Sequence, residues 1–171
     1  PSPTNIIRDA YRLGLTKKIQ FSSSYWGIST GGVKSHPEPL EGSVVISPFL
    51  RGEDALNHPL VQKLWTKYRG PMSTFKNGGY CLGIALGINF CSALKVALDE
   101  VGYEKITGDD IYRAYQKIGG KDTKGLTGPC AYGPKSRRGS NLAKIYRVKN
   151  SKIVPITDWV RMPDAVSLHK W

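Results

Sequence analysis

The chain has 171 residues, 40% of them hydrophobic, enough for one ordinary domain with a sizeable core or for part of a larger one. Its 19 Gly and 11 Pro imply many turns, which suits strands and helices better than a helical bundle. Twenty-five Lys and Arg against 13 Asp and Glu give a net charge of +12, a balance that favours an anionic partner over a cationic one.

SPTNIIRDAYRLGL predicts a helix: Ser2 or Thr4 as cap, Pro3 in the first turn, Ile6, Ile7, Ala10 and Leu13 at helical spacing, and Gly14 as the stop. In KKIQFSSS, Ile19 and Phe21 alternate with polar residues, which predicts a short strand ending in three serines. YWGISTGGVKSHPEPLEG reads mostly as loop, with at best a helical turn. SVVISPFL predicts a strand buried on both faces over Val44, Val45 and Ile46, ended by Pro48. Asn57 is expected to cap a helix with Pro59 in its first turn and Leu60, Leu64 and Tyr68 along one side.

The run from Asn77 to Leu94 holds 18 residues without a charge, which just reaches the length of a membrane span. Lys95 closes it while the apolar pattern continues through Val96, Ala97 and Leu98, so the segment is expected to be the core helix of an α/β protein, ending at Gly102. A disulfide between Cys81 and Cys91 is excluded on one helix. Ten residues at a 1.5 Å rise separate their Cα atoms by roughly 15 Å, against a tolerance of about 7 Å. Gly79, Gly83 and Gly87, four apart, are expected to let this helix lie close against a sheet or another helix. Thr107 caps a further helix, DDIYRAYQKI, with Asp109 and Asp110 at its positive end and Gly119-Gly120 beyond it. A long Gly/Pro/Lys loop follows, with one short strand expected near Cys130. AKIYRVKNSKIVPITDW then predicts a β-hairpin turning at Asn150-Ser151, and VRMPDAVSLHKW a tail.

The chemistry-bearing residues are sparse. Cys81, Cys91 and Cys130 lack metal-ligand spacing, and His36, His58 and His169 stand beside Pro or in the tail with no motif to orient them. No nucleophile elbow, metalloprotease motif, phosphate loop or carboxylate pair occurs, so no catalytic residue, metal or cofactor is assigned and no enzyme is expected. A Cys81 or Cys130 nucleophile is the weaker enzymatic alternative. Only Lys135, Arg137 and Arg138 form a basic cluster, and no RNA-binding aromatic signature accompanies it; nucleic acid is not expected as a partner.

Several stretches taken together resemble a known family. Tyr80-Cys-Leu-Gly83 leading to Ala93, Leu94 and Ala97, Arg8, Ala10, Gly14 and Leu15 in the first helix, LEGSVVISPF, TGPCAYGPKSRRG and the IYRVKNSKIV hairpin are similar to motifs of periplasmic solute-binding proteins of the branched-chain amino acid (Leu/Ile/Val) type. Ser151 stands where the family's turn usually has Gly. The match runs in order over nearly the whole chain.

The resemblance implies an α/β fold: part of a two-lobed, type I periplasmic-binding-protein-like structure with mainly parallel sheets and a C-terminal β-hairpin. Members are about twice as long, which implies that residues 1–48 belong to lobe two, 49–138 to lobe one, and 139–171 to lobe two and a tail. It further implies a missing N-terminal half, present as a second chain or replaced by an exchanged copy, and accounts for the start at Pro1. The expected function is that of the extracytoplasmic component of an ABC importer, periplasmic or extracellular and free or lipid-anchored, with a small solute and a permease as partners. A ligand-sensing receptor domain is the alternative.

The ligand cleft of the family maps onto Ser23, Ser24, Tyr25 and Trp26 after the first strand, and onto Gly79 and Tyr80 at the start of the core helix. Amino-acid-binding members place a carboxylate near the first of these, to pair with the ligand ammonium. Here no carboxylate lies between Asp9 and Glu38, which points to an aromatic or carboxylate solute instead.

Overall fold

The computed structural model describes residues 2–77 and 79–163; Pro1 and His169 lie outside them. Helix α1 (Pro3–Arg12) begins as the sequence predicts, with Ser2 Oγ accepting the Thr4 N–H at 3.3 Å and Pro3 in the first turn, and it buries Ile7 and Ala10. Strand β1 is Ser22–Ser24, displaced from the expected Ile19–Phe21 pattern; Leu15–Lys17 is a 3₁₀ turn and Ile19 is exposed. The segment expected to be loop holds two short helices, α2 (Thr30–Ser35) and α3 (Pro37–Leu40). Ser29 Oγ accepts the Gly32 N–H at 3.0 Å to start the first, and Pro37 starts the second.

Strand β2 (Val44–Ser47) is followed by α4 (Gly52–Leu56), α5 (Pro59–Tyr68), α6 (Tyr80–Val101) and α7 (Gly108–Tyr115). Helix α4 was not expected from the sequence, and Asn57 closes it rather than opening α5, whose cap position is His58. Helix α7 opens on the capping box of Thr107 and Asp110. The strand expected near Cys130 does not form among the described residues; the loop instead turns on the bonds Cys130 N–H to Lys121 O and Gly120 N–H to Cys130 O.

Strands β3 (Leu142–Lys149), β4 (Lys152–Pro155) and β5 (Val160–Arg161) complete one sheet in the order β1-β2-β3-β4, with β5 paired to the start of β3. The class is α/β as expected, and the C-terminal hairpin is present. Within the described residues, however, parallel pairing is confined to β1–β2, while β2–β3, β3–β4 and β3–β5 are antiparallel. Strand β2 is not covered on both faces: Val45 and Ser47 are buried, but Ile46 remains 38% exposed.

The interior falls into three clusters. The first joins Ile7, Ile28, Val33, Leu40 and Val45 to Tyr146, Val148 and Ile153 of the hairpin. The second packs Phe49, Ala55 and Val61 on Cys81, Ala85 and Leu126, and the third packs Ala93 and Ala97 of α6 on Ala114 and Ile118. The first and second meet at one polar junction. Tyr146 Oη accepts the Arg51 N–H at 3.2 Å and donates to Asp54 Oδ2 at 3.3 Å, while Lys144 Nζ pairs with the same carboxylate oxygen at 2.7 Å.

Helix α6 is a core helix on one side only. Cys81, Ala85, Asn89, Ala93 and Ala97 form its buried stripe, every fourth residue. The expected use of its glycines is corrected by the structure. Gly79 is the left-handed residue before the helix (φ 97°), and a Cβ at Gly83 or Gly87 would meet nothing within 4 Å. Those two glycines face open space within this chain.

Candidate ligand site

The turn after β1 is set by the Gly27 N–H bonding Ser24 O at 3.0 Å, and it presents two aromatic rings. Tyr25 and Trp26 lie 5.0 Å apart, centroid to centroid, and Phe49 supports Tyr25 edge-on at 5.2 Å. Tyr25 is half-buried, whereas Trp26 is 61% exposed despite this packing. A large indole held by neighbours yet open to water is a surface that can stack on a flat apolar group.

The opposite end of the expected site arrives at the same place. A Cβ at Gly79 would lie 3.3 Å from Trp26 Cη2, so the indole edge rests against the backbone that opens α6. Trp26 and Gly79 are thus neighbours. Tyr80 turns away from them, its ring packing on Trp65 at 5.1 Å and Phe75 at 6.1 Å. Ser23 Oγ points back at Gly27, where a Cβ would meet it at 1.8 Å, and Ser24 is exposed at the strand end.

Three residues that sequence reasoning did not single out organise this wall. Phe49 is fully buried beneath the rings. Arg51, 6% exposed, donates through Nη1 to the Tyr25 carbonyl and through Nη2 to the Ile28 carbonyl at 2.7 Å, and its guanidinium carbon lies 5.8 Å from the Phe49 ring centre. Among the described residues it meets carbonyls and no carboxylate, and burial pulls its pKa below the ordinary value. Asn77 ties the approach to α6 back to Leu50 O through Nδ2 at 2.9 Å, leaving its buried Oδ1 without a donor.

The wall is electropositive and aromatic: a buried guanidinium behind the turn, an exposed indole in front and the positive end of a 22-residue helix beside it. No carboxylate is among the described residues named here as forming it. Two hollows on the chain lie apart from it. One of about 260 Å³ lies between Tyr112, Tyr115, Tyr132 and Arg137, where Arg137 Nη2 donates to Tyr112 Oη at 2.9 Å; another of about 230 Å³ lies beside α6.

The nucleophile alternative meets unfavourable surroundings. Burial pushes the Cys81 thiol up to about 12, against a smaller opposing pull from Arg51, and it pushes Cys130 up as well. His58 Nε2 is engaged with Lys124 O at 2.8 Å, and His36 Nδ1 with Ser35 Oγ at 3.0 Å, so neither faces a cysteine. Among the described residues no three His, Cys, Asp or Glu side chains gather as metal ligands.

No family model matches the sequence, and no curated protein matches it. Solved structures do. The chain is similar to a branched-chain amino acid ABC transporter protein from Thermus thermophilus with bound valine, at TM-score 0.75 and 20% identity, over 92% of this chain and 43% of that one. It is similar to a fatty acid ABC transporter substrate-binding protein from Thermomonospora curvata (TM-score 0.71, 16% identity, 93% and 40%). An extracellular ligand-binding receptor from Rhodopseudomonas palustris matches at TM-score 0.53 and 19% identity, over 91% and 46%. At these identities the likeness is one of fold. The chain carries part of the type I periplasmic-binding-protein fold and spans less than half the length of these solved chains. These neighbours are binding proteins rather than enzymes.

Proposed function

We propose that the chain belongs to the extracytoplasmic solute-binding component of an ABC importer, and that Tyr25, Trp26 and Gly79 form part of one wall of its ligand cleft, with Ser23, Ser24 and Tyr80 at its margin. The observation that carries this is the exposed Trp26 indole seated on Gly79 at the start of α6. Sites of this kind lie at strand ends between lobes, where helix N-termini hold a charged head group and rings hold the body.

The solute that suits the wall is aromatic or a carboxylate. A buried ammonium would find no counter-charge here, and its desolvation would go uncompensated. In this reading residues 1–48 and 139–171 belong to one lobe and 49–138 to the other, supported by the division between the first core cluster and the other two. A permease is the partner, the compartment is periplasmic or extracellular, and closure of two lobes on the solute is the signal.

The test is a fluorescence titration of the complete gene product, with benzoate and leucine as probes and Trp26→Phe as control. Benzoate should quench, the control should abolish that quench, and leucine should have no effect. Micromolar binding of leucine would sink the assignment of solute class. One neighbour's role as an extracellular ligand-binding receptor favours a second reading, a sensing domain of the same fold. Adjacent permease and ATPase genes support import; a following membrane helix and kinase support sensing.

A further inference from the structure

The hollow of about 260 Å³ is built from one helix and one loop. Tyr112 and Tyr115 line it from α7, with Gln116 just beyond, and Tyr132, Ser136 and Arg137 line it from the loop opposite. Main-chain bonds fix that loop. Gly133 and Ser136 exchange N–H and C=O at 2.9 and 3.1 Å, and the Ala131 N–H bonds Gly139 O at 3.2 Å. A Cβ at Gly119 would lie 2.6 Å from Tyr132 O, so the loop backbone also presses on the end of the helical segment. Tyr115 and Tyr132 meet edge-on at 5.2 Å. The chain itself therefore sets the shape of this aromatic hollow.

One cation stands at its wall. The Arg137 guanidinium carbon lies 5.6 Å from the Tyr112 ring centre, and its Nη2 donates to Tyr112 Oη at 2.9 Å. Nearby cations are engaged differently: Arg113 pairs with Asp110 at 2.6 Å and Lys117 with Glu100 at 2.7 Å. Among the described residues Arg137 meets a phenol and no carboxylate, and no acidic residue lines the hollow. A guanidinium has five donors in a planar fork that matches a carboxylate, and one phenol leaves most of that fork open. Ring walls beside such a fork suit a flat ring that carries a carboxylate.

We propose that this hollow is a second ligand site, apart from the Trp26–Gly79 wall, and that it takes a monocyclic aromatic carboxylate. Arg137 binds the carboxylate, Tyr112 positions the guanidinium, and Tyr115 and Tyr132 pack the ring. The volume falls just under the usual range for ligand pockets, which begins at about 300 Å³, so one ring suits it better than a fused system. The inference stands on the hollow alone and does not depend on which solute the cleft binds.

Photolabelling of the complete gene product with 4-azidobenzoate, followed by peptide mapping, reads where the ring sits. Adducts should map to residues 112–116 or 132–137. Benzoate should compete for them about tenfold better than benzamide, which has the same ring without the charge. Arg137→Gln should lower their yield about tenfold, and Tyr132→Leu, which keeps the charge and removes a ring wall, should lower it as well. The map and the two competitors decide the matter even if a variant fails to fold. No adduct in those segments, equal competition by benzamide, or an unchanged yield in Arg137→Gln would overturn the proposal. Adducts on the peptide that holds Trp26 report the cleft separately, so loss of one site leaves the other standing.

Discussion

Arg51 holds the carbonyl of Ile28 through Nη2 at 2.7 Å, across 23 residues of chain, and the same guanidinium grips Tyr25 O. The arginine therefore fixes the turn carrying Trp26 to the segment leaving β2. Arg51→Ala removes both donors from carbonyls that its own bulk covers. The expected cost is about 3 kcal/mol, read by urea denaturation, together with faster amide exchange over residues 25–28. Unchanged exchange there would mean that the turn holds its shape without the arginine.

Gly52 and Gly14 make a matched pair. Both have positive φ, 50° and 70°, so a side chain at either is strained. At Gly52 an added Cβ would also lie 1.9 Å from Ile153 O, whereas at Gly14 it meets nothing within 4 Å. Gly14→Ala should cost about 1 kcal/mol, and Gly52→Ala about 3 kcal/mol or more, because the hairpin must move. Thermal unfolding of the two variants side by side checks the difference.

The hairpin turn places Asn150 and Ser151 at φ 51° and 61°, between the paired Lys149 and Lys152. Two consecutive left-handed residues are the geometry of the tight turn that favours Asn-Gly. Ser151→Gly should therefore raise stability by about 1 kcal/mol. No change in melting temperature would contradict this account of the turn.

How far the sequence could be read depended on whether a signal was local. The first helix, the cap at Thr107 and the hairpin at Asn150-Ser151 carry their signals within a few residues, and they form where expected. Helices of four to six residues have no periodicity to detect, so the sequence predicts at best a helical turn where α2 and α3 form, nothing at α4, and a start rather than an end of a helix at Asn57. Strand β1 is three serines, whose strand state depends on β2 rather than on propensity. Of the candidate site, Trp26 and Gly79 do meet. The direction of Tyr80 was illegible, because Trp65 and Phe75 decide it. Arg51 was invisible for the same reason: its partners are main-chain carbonyls more than 20 residues away.

The start of α7 predicts a pH response. The Thr107 hydroxyl, then the Thr107 backbone N–H and Arg113, hold the Asp110 carboxyl below its ordinary value. A carboxylate lowered in the folded state adds stability above its unfolded pKa and loses it as pH falls through the folded one. The α7 amides should lose exchange protection on acidification below the usual carboxylate range. Asp110→Asn should flatten that dependence while leaving the rest of the chain unaltered.

The thiols should separate by reactivity. Cys91 is exposed, whereas Cys81 and Cys130 are buried. Iodoacetamide at pH 8 should modify Cys91 alone in the folded 171-residue chain, with all three reacting in guanidinium. Rapid alkylation of native Cys81 would reopen the case for a nucleophile.

Tyr146 is fully buried, on the strand between β2 and β4, and it reaches partners 92 and 95 residues earlier in the chain. During synthesis, Ile28 and Val45 must therefore wait for this cover until the segment carrying Tyr146 has been made. Closure of that cluster is a late event with a large loop-entropy cost. Until then the nascent segment carries an open apolar cluster, a substrate for chaperones and a hazard for self-association.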